Sequence, residues 1–232
     1  MRRLRQWLVG WFGGPIRKVL RMAQWQQAAF ANLDKPAPIY PAHSLSGIRV
    51  HLGAGEINLQ GWINIDARPF AHIHAQTTSL ALAEFADGAV SAIYICHVLE
   101  HLSFAEGRAL LVALHQKLAD GGAIIIAVPD FDALVTAYLA SGKNFDAIKY
   151  PLMGGQGYEY NFHRAMYTRG SLTALLTACG YASQEPWQTK SEFGTDLGDW
   201  SSATIPAGAS GAIPLSLNLK ARKLAARRIE AQ

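Results

Sequence analysis

Charged residues are scarce in this 232-residue sequence, at 16%, whereas hydrophobic residues make up 50%. This balance excludes an intrinsically disordered chain and is typical of a globular protein with a sizeable core. Cysteine is rarer still: Cys96 and Cys179 lie far apart and lack metal-ligand spacing. We expect buried thiols in a reducing compartment such as the cytoplasm. No apolar run reaches the roughly 20 residues that a membrane-spanning helix needs.

Acidic residues are absent from positions 1–33, which hold six basic residues. A second basic stretch at 220–232 leaves a net acidic body between the two ends. An acidic body argues against a nucleic-acid partner. We expect a basic helical extension and a proline-containing linker over 1–45, a folded domain over 46–223 and a basic tail over 224–232.

Tryptophans and arginines share the first predicted helix, with Trp7 and Trp11 at helical spacing. A basic helix of this kind favours peripheral contact with the inner membrane through residues 1–23. The alternative is a helical extension that packs on the domain or on a partner. A secretory signal is disfavoured, because Arg17, Lys18 and Arg21 interrupt the apolar core that it needs.

Residues 49–66 are the most informative stretch of the chain. The pattern predicts a buried strand ending at Leu52, a turn containing Gly53 and Gly55, and a second strand that ends in Asp66. Glycine lets a ligand approach bare backbone, and a carboxylate accepts hydrogen bonds from both hydroxyls of a ribose. Ligands of open α/β sheets bind beyond the carboxyl ends of the strands. The stretch therefore indicates a nucleoside-binding corner.

Strands and helices continue to alternate along the chain after this corner. The hydrophobic period predicts strands at His72 to His74, Val90 to Cys96, Ala123 to Val128, Tyr181 onward and Ile213 to Ala221, and helices from Ser103 to Leu118, Asp130 to Leu139 and Arg169 to Ala178. The irregular, glycine-rich and aromatic segment 141–169 is expected to form a lid. We expect an α/β fold: a Rossmann-like, mostly parallel sheet with an antiparallel edge strand and helices on both faces, preceded by the N-terminal helical extension.

The spacing between the glycine turn and the acid separates two classes of nucleotide enzyme. A dinucleotide-binding fingerprint needs a third glycine, a helix and an acid about 20 residues on. Asp66 follows Gly55 by 11 positions, which leaves no room for the helix that binds a pyrophosphate. An NAD-dependent oxidoreductase is therefore disfavoured. S-adenosylmethionine, which has a ribose but no phosphate, fits better.

Several ordered motifs carry a family resemblance over about residues 48–223. They are Leu52-Gly53-Ala54-Gly55, Gly61 to Asp66, His97-Val98-Leu99-Glu100-His101-Leu102, Leu118 to Gly122, Val128-Pro129-Asp130, Gly155 to His163 and Ser216-Leu217-Asn218. In these motifs the chain resembles the class I S-adenosylmethionine-dependent methyltransferases, in particular the bacterial methyltransferase type-11-like branch.

The resemblance implies roles for individual residues in binding the cofactor. The turn would lie against the methionine part of S-adenosylmethionine, Asp66 would bind the ribose, and His97 would contact the cofactor or the acceptor. The turn consists of Leu52, Gly53, Ala54 and Gly55. Relatives carry an acid that binds the adenine amino group, and it is missing here. The amide oxygen of Gln76 is expected to accept that hydrogen bond instead.

Histidines supply the candidate catalytic groups. Imidazole suits the removal of a proton from an acceptor hydroxyl, because its pKa lies near neutrality. The candidates are His97, His101 and His163, with Glu100 as an orienting carboxylate between the first two. The alternatives are that Glu100 and His101 cap the following helix, and that His163 makes a hydrogen bond within the lid. No group of residues stands out as a metal site.

The acceptor-binding candidates lie after the fifth predicted strand and in the lid. They are Asp130, Tyr158, Tyr160 and His163. The alternatives are an N-cap role for Asp130 and simple packing of the lid for the tyrosines.

The sequence thus predicts an enzyme that transfers a methyl group from S-adenosylmethionine to a small-molecule or glycan-intermediate acceptor, without nucleic acid or metal. The alternative is a catalytically inactive methyltransferase-fold protein that acts as a binding or scaffold subunit at the membrane face. The missing adenine acid and the basic ends motivate that alternative.

Overall fold

The computed structural model of this protein describes residues 47–77 and 79–225. Its strands are β1 Ile48–Leu52, β2 Ile63–Asp66, β3 Ala75–Gln76, β4 Val90–Cys96, β5 Leu118–Pro129, β6 Tyr181–Pro186, β7 Thr204–Pro206, β8 Ala212–Pro214 and β9 Ser216–Lys223. Its α-helices are α1 Phe104–Lys117, α2 Phe131–Ala140, α3 Lys149–Met153, α4 Arg169–Ala178 and α5 Thr189–Phe193. Short 3-10 helices occupy Leu99–His101, Phe145–Ala147, Trp200–Ser202 and Gly208–Ser210.

Seven of these strands form one sheet in the order β3-β2-β1-β4-β5-β9-β6. The pairings among β1 to β5 are parallel, and β9 runs antiparallel to both of its neighbours. The Rossmann-like α/β fold is confirmed, but the antiparallel strand lies one place in from the edge. Leu217, Leu219 and Ala221 of β9 are almost fully buried. β9 pairs with β5 on one side and with β6 on the other, so β6 takes the edge instead.

Helices and loops cover both faces of this sheet. On one face, Leu110, Leu111 and Leu114 of α1 pack with β1, β2, β4 and β5 in the main core, which α4 joins through Leu172 and Leu176. On the other face, an aromatic cluster extends to α5 and contains Trp62, Tyr94, Trp187 and Phe193.

Local sequence explains where the helices begin. Ser103 caps α1, and its hydroxyl and the carboxylate of Glu106 form the reciprocal hydrogen bonds of a capping box. Thr168 and Ser171 do the same for α4. Asp130 accepts a hydrogen bond from Asp132 N at the start of α2. The three predicted helices agree with these elements to within about two residues at each end.

The third strand was predicted too early, at His72 to His74, whereas β3 is Ala75–Gln76. The polar bonds of the two histidines explain the difference: His72 Nε2 lies 3.1 Å from Gly55 O, and His74 Nδ1 accepts from Asn64 N. The first bond joins the segment to the glycine turn and the second joins it to β2, before strand pairing begins at Ala75. The predicted extension and linker, 1–45, and most of the predicted tail lie outside the described residues. Within the described ranges, no helix is both long and apolar enough to cross a membrane.

Candidate functional site

The carboxyl ends of the parallel strands bring the predicted site residues to one edge of the sheet. The chain runs from β1 outward to β2 and β3, then returns to β4 on the other side of β1. The gap between β1 and β4 is therefore a topological switch point, where open α/β sheets bind ligands. The glycine turn and Asp66 follow β1 and β2, His97 follows β4, and Asp130 follows β5.

The glycine turn is held against β2 by its own backbone. Gly53 N and Ala54 N both donate to Ile65 O, and Gly55 N donates to Asp66 Oδ2 at 2.7 Å. Gly53 and Gly55 have φ of +72° and +56°, a region that glycine enters without strain. The sequence therefore places the turn and the acid together as predicted, with Leu52 buried at the end of β1.

Arg68 is a site residue that the sequence analysis missed. Its backbone N and its Nε donate to Asp66 Oδ1 at 2.8 and 3.1 Å. Its guanidinium also lies against the bare backbone of Gly55, because Nη2 is 2.8 Å from where a Cβ would stand there. Nothing in the local pattern marks this arginine, since its partners lie on the preceding strand and turn.

Tyr158 and Gln76 complete this corner. Arg68 Nη1 donates to Tyr158 Oη at 3.4 Å, so this predicted acceptor-binding tyrosine lies at the nucleoside corner. Gln76 pairs with Asp66 across β2 and β3, and its Nε2 donates to Ala67 O. Tyr160 lies at the surface, with 47% of its area exposed.

His97 is fixed at the end of β4 by partners on both ring nitrogens. It has φ of +54°, which is uncommon for a residue with a side chain. Nδ1 lies 3.1 Å from Glu100 Oε1, off the line of a hydrogen bond, and Nε2 lies 2.7 Å from Ser216 Oγ. Ser216 Oγ donates to Trp200 O, so His97 Nε2 is the donor to Ser216. Both nitrogens thus face groups of the protein.

Glu100, His101 and His163 form a second cluster beside His97. The Glu100 side chain is fully buried, and His163 Nε2 lies 4.0 Å from its Oε1. Burial acts to raise the pKa of Glu100, but the imidazoles of His97, His101 and His163 outweigh it and lower that pKa. Burial lowers the pKa of His163 in turn, despite the attraction of Glu100.

Two backbone carbonyls set the tautomers of this histidine pair. His163 Nδ1 lies 2.9 Å from Pro151 O, and His101 Nδ1 lies 3.3 Å from Phe162 O. A carbonyl oxygen only accepts, so Nδ1 carries the proton and Nε2 of the neutral ring is a lone pair. The two rings meet edge to face, with centroids 4.9 Å apart. The structure therefore brings together two residues that are 62 positions apart in sequence.

Asp130 lines a cavity of about 710 Å³ beyond the ends of β5 and β6. Burial raises the pKa of Asp130 although backbone N–H groups of α2 bind it. Arg169, Trp187, Ser216 and Asn218 also line this cavity. Asn218 Oδ1 is buried there and has no hydrogen-bond partner among the residues that the structure describes.

Comparison with solved structures agrees with this architecture. A methyltransferase dependent on S-adenosylmethionine from Archaeoglobus fulgidus superposes with a TM-score of 0.51 at 13% identity, covering 88% of this chain and 99% of that one. A methyltransferase of the same dependence from Thermotoga maritima, described as a possible histamine N-methyltransferase, gives 0.50 at 12%, covering 89% and 97%.

A third similar structure contains ligands. It is the 1,6-didemethyltoxoflavin-N1-methyltransferase of Burkholderia thailandensis with its substrate and S-adenosylhomocysteine, at a TM-score of 0.50, 14% identity and coverage of 90% and 88%. The sequence matches no protein-family model and no curated protein. At these identities the likeness establishes the fold: this chain has the fold of class I S-adenosylmethionine-dependent methyltransferases.

Proposed function

We propose that this protein transfers a methyl group from S-adenosylmethionine to a small-molecule acceptor. The observation that carries the proposal is the turn at Gly53 and Gly55, bonded to Asp66 at the switch point of a methyltransferase-type sheet. Asp66 would accept from the ribose hydroxyls, the turn would lie along the methionine part, and Gln76 beside Asp66 would accept from the adenine amino group.

The cavity beyond β5 supports a small acceptor. Its volume of about 710 Å³ lies within the range of small-molecule sites. Trp187 offers an apolar face, whereas Asp130, Arg169 and Asn218 offer polar groups to an acceptor rich in hydroxyls, such as a glycan intermediate. Ser216 lines the cavity and is hydrogen-bonded to His97, so the cavity is connected to the end of β4.

Methyl transfer to a hydroxyl requires an aligned acceptor and a group that takes its proton. Among the predicted histidines, His101 and His163 have lone pairs on Nε2, whereas both nitrogens of His97 already face the protein. We therefore assign proton removal to the His101 and His163 pair and an orienting role to His97.

Calorimetric titration with S-adenosylhomocysteine, with NAD as the control ligand, tests the cofactor. We expect micromolar binding of S-adenosylhomocysteine alone. Asp66→Asn should weaken it about 10- to 100-fold, the scale of losing hydrogen bonds to a charged group. Asp146→Asn, which removes an exposed carboxylate paired with Lys149, should leave the affinity unchanged. Equal affinities in the two variants would remove the ribose assignment.

A catalytically inactive scaffold is the second candidate. It is supported by the engagement of Asp66 with Arg68 and by the missing adenine acid. This candidate would use residues 1–23 for peripheral contact with the inner membrane, whereas the enzyme can work in the cytoplasm. Absence of any S-adenosylhomocysteine binding, together with sedimentation on anionic liposomes that deletion of residues 1–33 abolishes, would favour the scaffold.

A further inference from the structure

We propose that Glu100, His101 and His163 bind a divalent transition-metal ion, with Zn²⁺ preferred among the common ions. One ligand atom from each of these residues lies within 4.8 Å of the others. No metal site stands out in the sequence, where His163 is distant from the other two residues. The 3-10 helix Leu99–His101 and the loop before α4 bring the three together.

The burial of the Glu100 carboxylate and its lack of hydrogen bonds within the described ranges indicate that a cation binds there. The side chain is completely buried, and within the described ranges neither oxygen has a hydrogen bond with acceptable geometry. A buried carboxylate without such bonds is costly unless a positive charge accompanies it. The His97 ring lies 3.1 Å from Oε1 but off the hydrogen-bond line, which leaves coordination sites on the carboxylate for an ion.

The two histidines present the correct atoms. Metal-binding imidazoles commonly donate their second N–H to a backbone carbonyl, which fixes the ring and the tautomer. His101 and His163 both do so, through Phe162 O and Pro151 O. Each neutral ring therefore has its lone pair on Nε2, and Nε2 of His163 lies 4.0 Å from Glu100 Oε1.

The backbone holds these ligands in a fixed relation. Arg164 N and Ala165 N, immediately after His163, both donate to Glu100 O, at 2.7 and 3.1 Å. The His101 bond to Phe162 O joins the same two segments. The ligand set is thus largely organised before an ion arrives. Tetrahedral bonds of about 2.1 Å would separate the ligand atoms by about 3.4 Å, so binding draws them inward by about 1 Å.

Ligand chemistry selects the ion. Two imidazoles and one carboxylate are borderline ligands that suit Zn²⁺, Fe²⁺, Mn²⁺ or Co²⁺ better than Mg²⁺ or Ca²⁺, which prefer oxygen. The same set binds catalytic zinc with a fourth position open to water or substrate. The geometry therefore assigns a reactive rather than a closed structural site.

Under the proposed function, this open position would bind the acceptor oxygen. The ion would lower the pKa of a bound hydroxyl and release its proton to solvent, so that the oxygen attacks the methyl carbon. The carbon–sulfur bond breaks, its electron pair stays on sulfur, and S-adenosylhomocysteine leaves. The His101 and His163 nitrogens would then act as ligands instead of as a base. This role rests on the proposed function, whereas metal binding itself does not.

The test measures Zn²⁺ alone on tag-free, full-length protein that has been stripped with a chelator. We expect one Zn²⁺ per chain and a rise in Tm on binding. His101→Asn, Glu100→Gln and His163→Asn should each weaken Zn²⁺ binding about 100-fold. His115→Asn, a histidine on α1 that packs against Tyr181, should bind as the parent does. His101 is partly exposed, so its variant tests the site even where Glu100→Gln fails to fold.

Absence of stoichiometric Zn²⁺ binding, or equal binding by the parent and His101→Asn, would overturn the proposal. Titration of S-adenosylhomocysteine into the same preparations separates the two proposals. Zn²⁺ binding without S-adenosylhomocysteine binding would retain the metal site and reject the methyltransferase. The reverse result would retain the methyltransferase and return His101 and His163 to the role of base.

Discussion

Arg68 Nε lies 3.1 Å from Asp66 Oδ1, and the same arginine covers the bare backbone of Gly55. The Asp66 carboxylate accepts three hydrogen bonds, from Arg68 Nε, Arg68 N and Gly55 N. These bonds occupy three of its roughly four lone-pair directions. A ribose would need two of them for its hydroxyls. Under the proposed function, cofactor binding at this corner has to displace the Arg68 side chain, and the energy of the ion pair opposes binding.

Removing this competing arginine should tighten cofactor binding. Arg68→Met keeps much of the apolar stem but has no charge to pair with Asp66. We expect the affinity for S-adenosylhomocysteine to rise about 5- to 30-fold, which corresponds to 1–2 kcal/mol for a partly buried charged hydrogen bond. Isothermal titration measures the change. Arg108→Met on the exposed side of α1 is the matched control. A weaker affinity in Arg68→Met would instead mean that Arg68 contacts the cofactor.

The glycine turn should tolerate no side chain at position 53. A Cβ on Gly53 would overlap Val98 Cγ2, and the φ of +72° already disfavours alanine there. We expect Gly53→Ala to lower the free energy of unfolding by about 2–4 kcal/mol, measured with urea. Gly53→Ala combined with Val98→Ala should be less unstable than the sum of the two single variants, because the overlap is removed. Additive effects would show that the overlap does not contribute.

The nucleoside corner shows how far sequence reasoning extends. Gly53, Gly55 and Asp66 were predicted together because a strand, a turn and a second strand are local features. Arg68 was not, since its role depends on how a side chain folds back over Gly55. The proposed metal site gives no signal in the sequence for a similar reason: Glu100 and His101 adjoin, but His163 joins them only through the tertiary fold of the segment before α4.

Strand order was the least predictable part of the fold. Hydrophobic period predicts a strand from Ile213 to Ala221, which overlaps β9, yet period does not encode neighbours. Leu219 of β9 is paired with Ile126 of β5 on one side and with Pro186 of β6 on the other. Only this tertiary pairing places β9 between the two strands. The third strand is misplaced because His72 and His74 have apolar neighbours, whereas His72 binds Gly55 O and His74 binds the backbone of Asn64.

His51 should make stability depend on pH. Burial lowers its pKa from 6.5 to about 4, despite a hydrogen bond with Asn64. His51 is therefore protonated below pH 6.5 in the unfolded chain, but only below about pH 4 in the folded protein. This contribution to stability is present above pH 6.5 and is lost as the pH falls through that window. Between pH 7 and pH 5 the free energy of unfolding loses roughly 2 kcal/mol through His51.

The comparison that isolates this effect is between His51→Gln and the parent. Glutamine keeps a hydrogen-bond donor for Asn64 but does not titrate. We expect the unfolding free energy of the variant, measured in urea at pH 7 and pH 5, to fall by about 2 kcal/mol less than that of the parent. Other histidines contribute equally to both proteins, so the difference in slope belongs to His51. Parallel slopes would contradict a neutral, buried His51.

The interior position of β9 has a consequence for synthesis on the ribosome. β5 is completed by Pro129, but its antiparallel neighbour starts only at Ser216. A nascent chain therefore emerges with the edge of the apolar run Ala123 to Val128 unpaired for nearly ninety further residues, and β6 has no place in the sheet until β9 inserts. Unpaired apolar edges of this kind are sites of aggregation. The sheet can therefore close only after the last strand has been translated, and until then the edge of β5 is open to pairing with another chain.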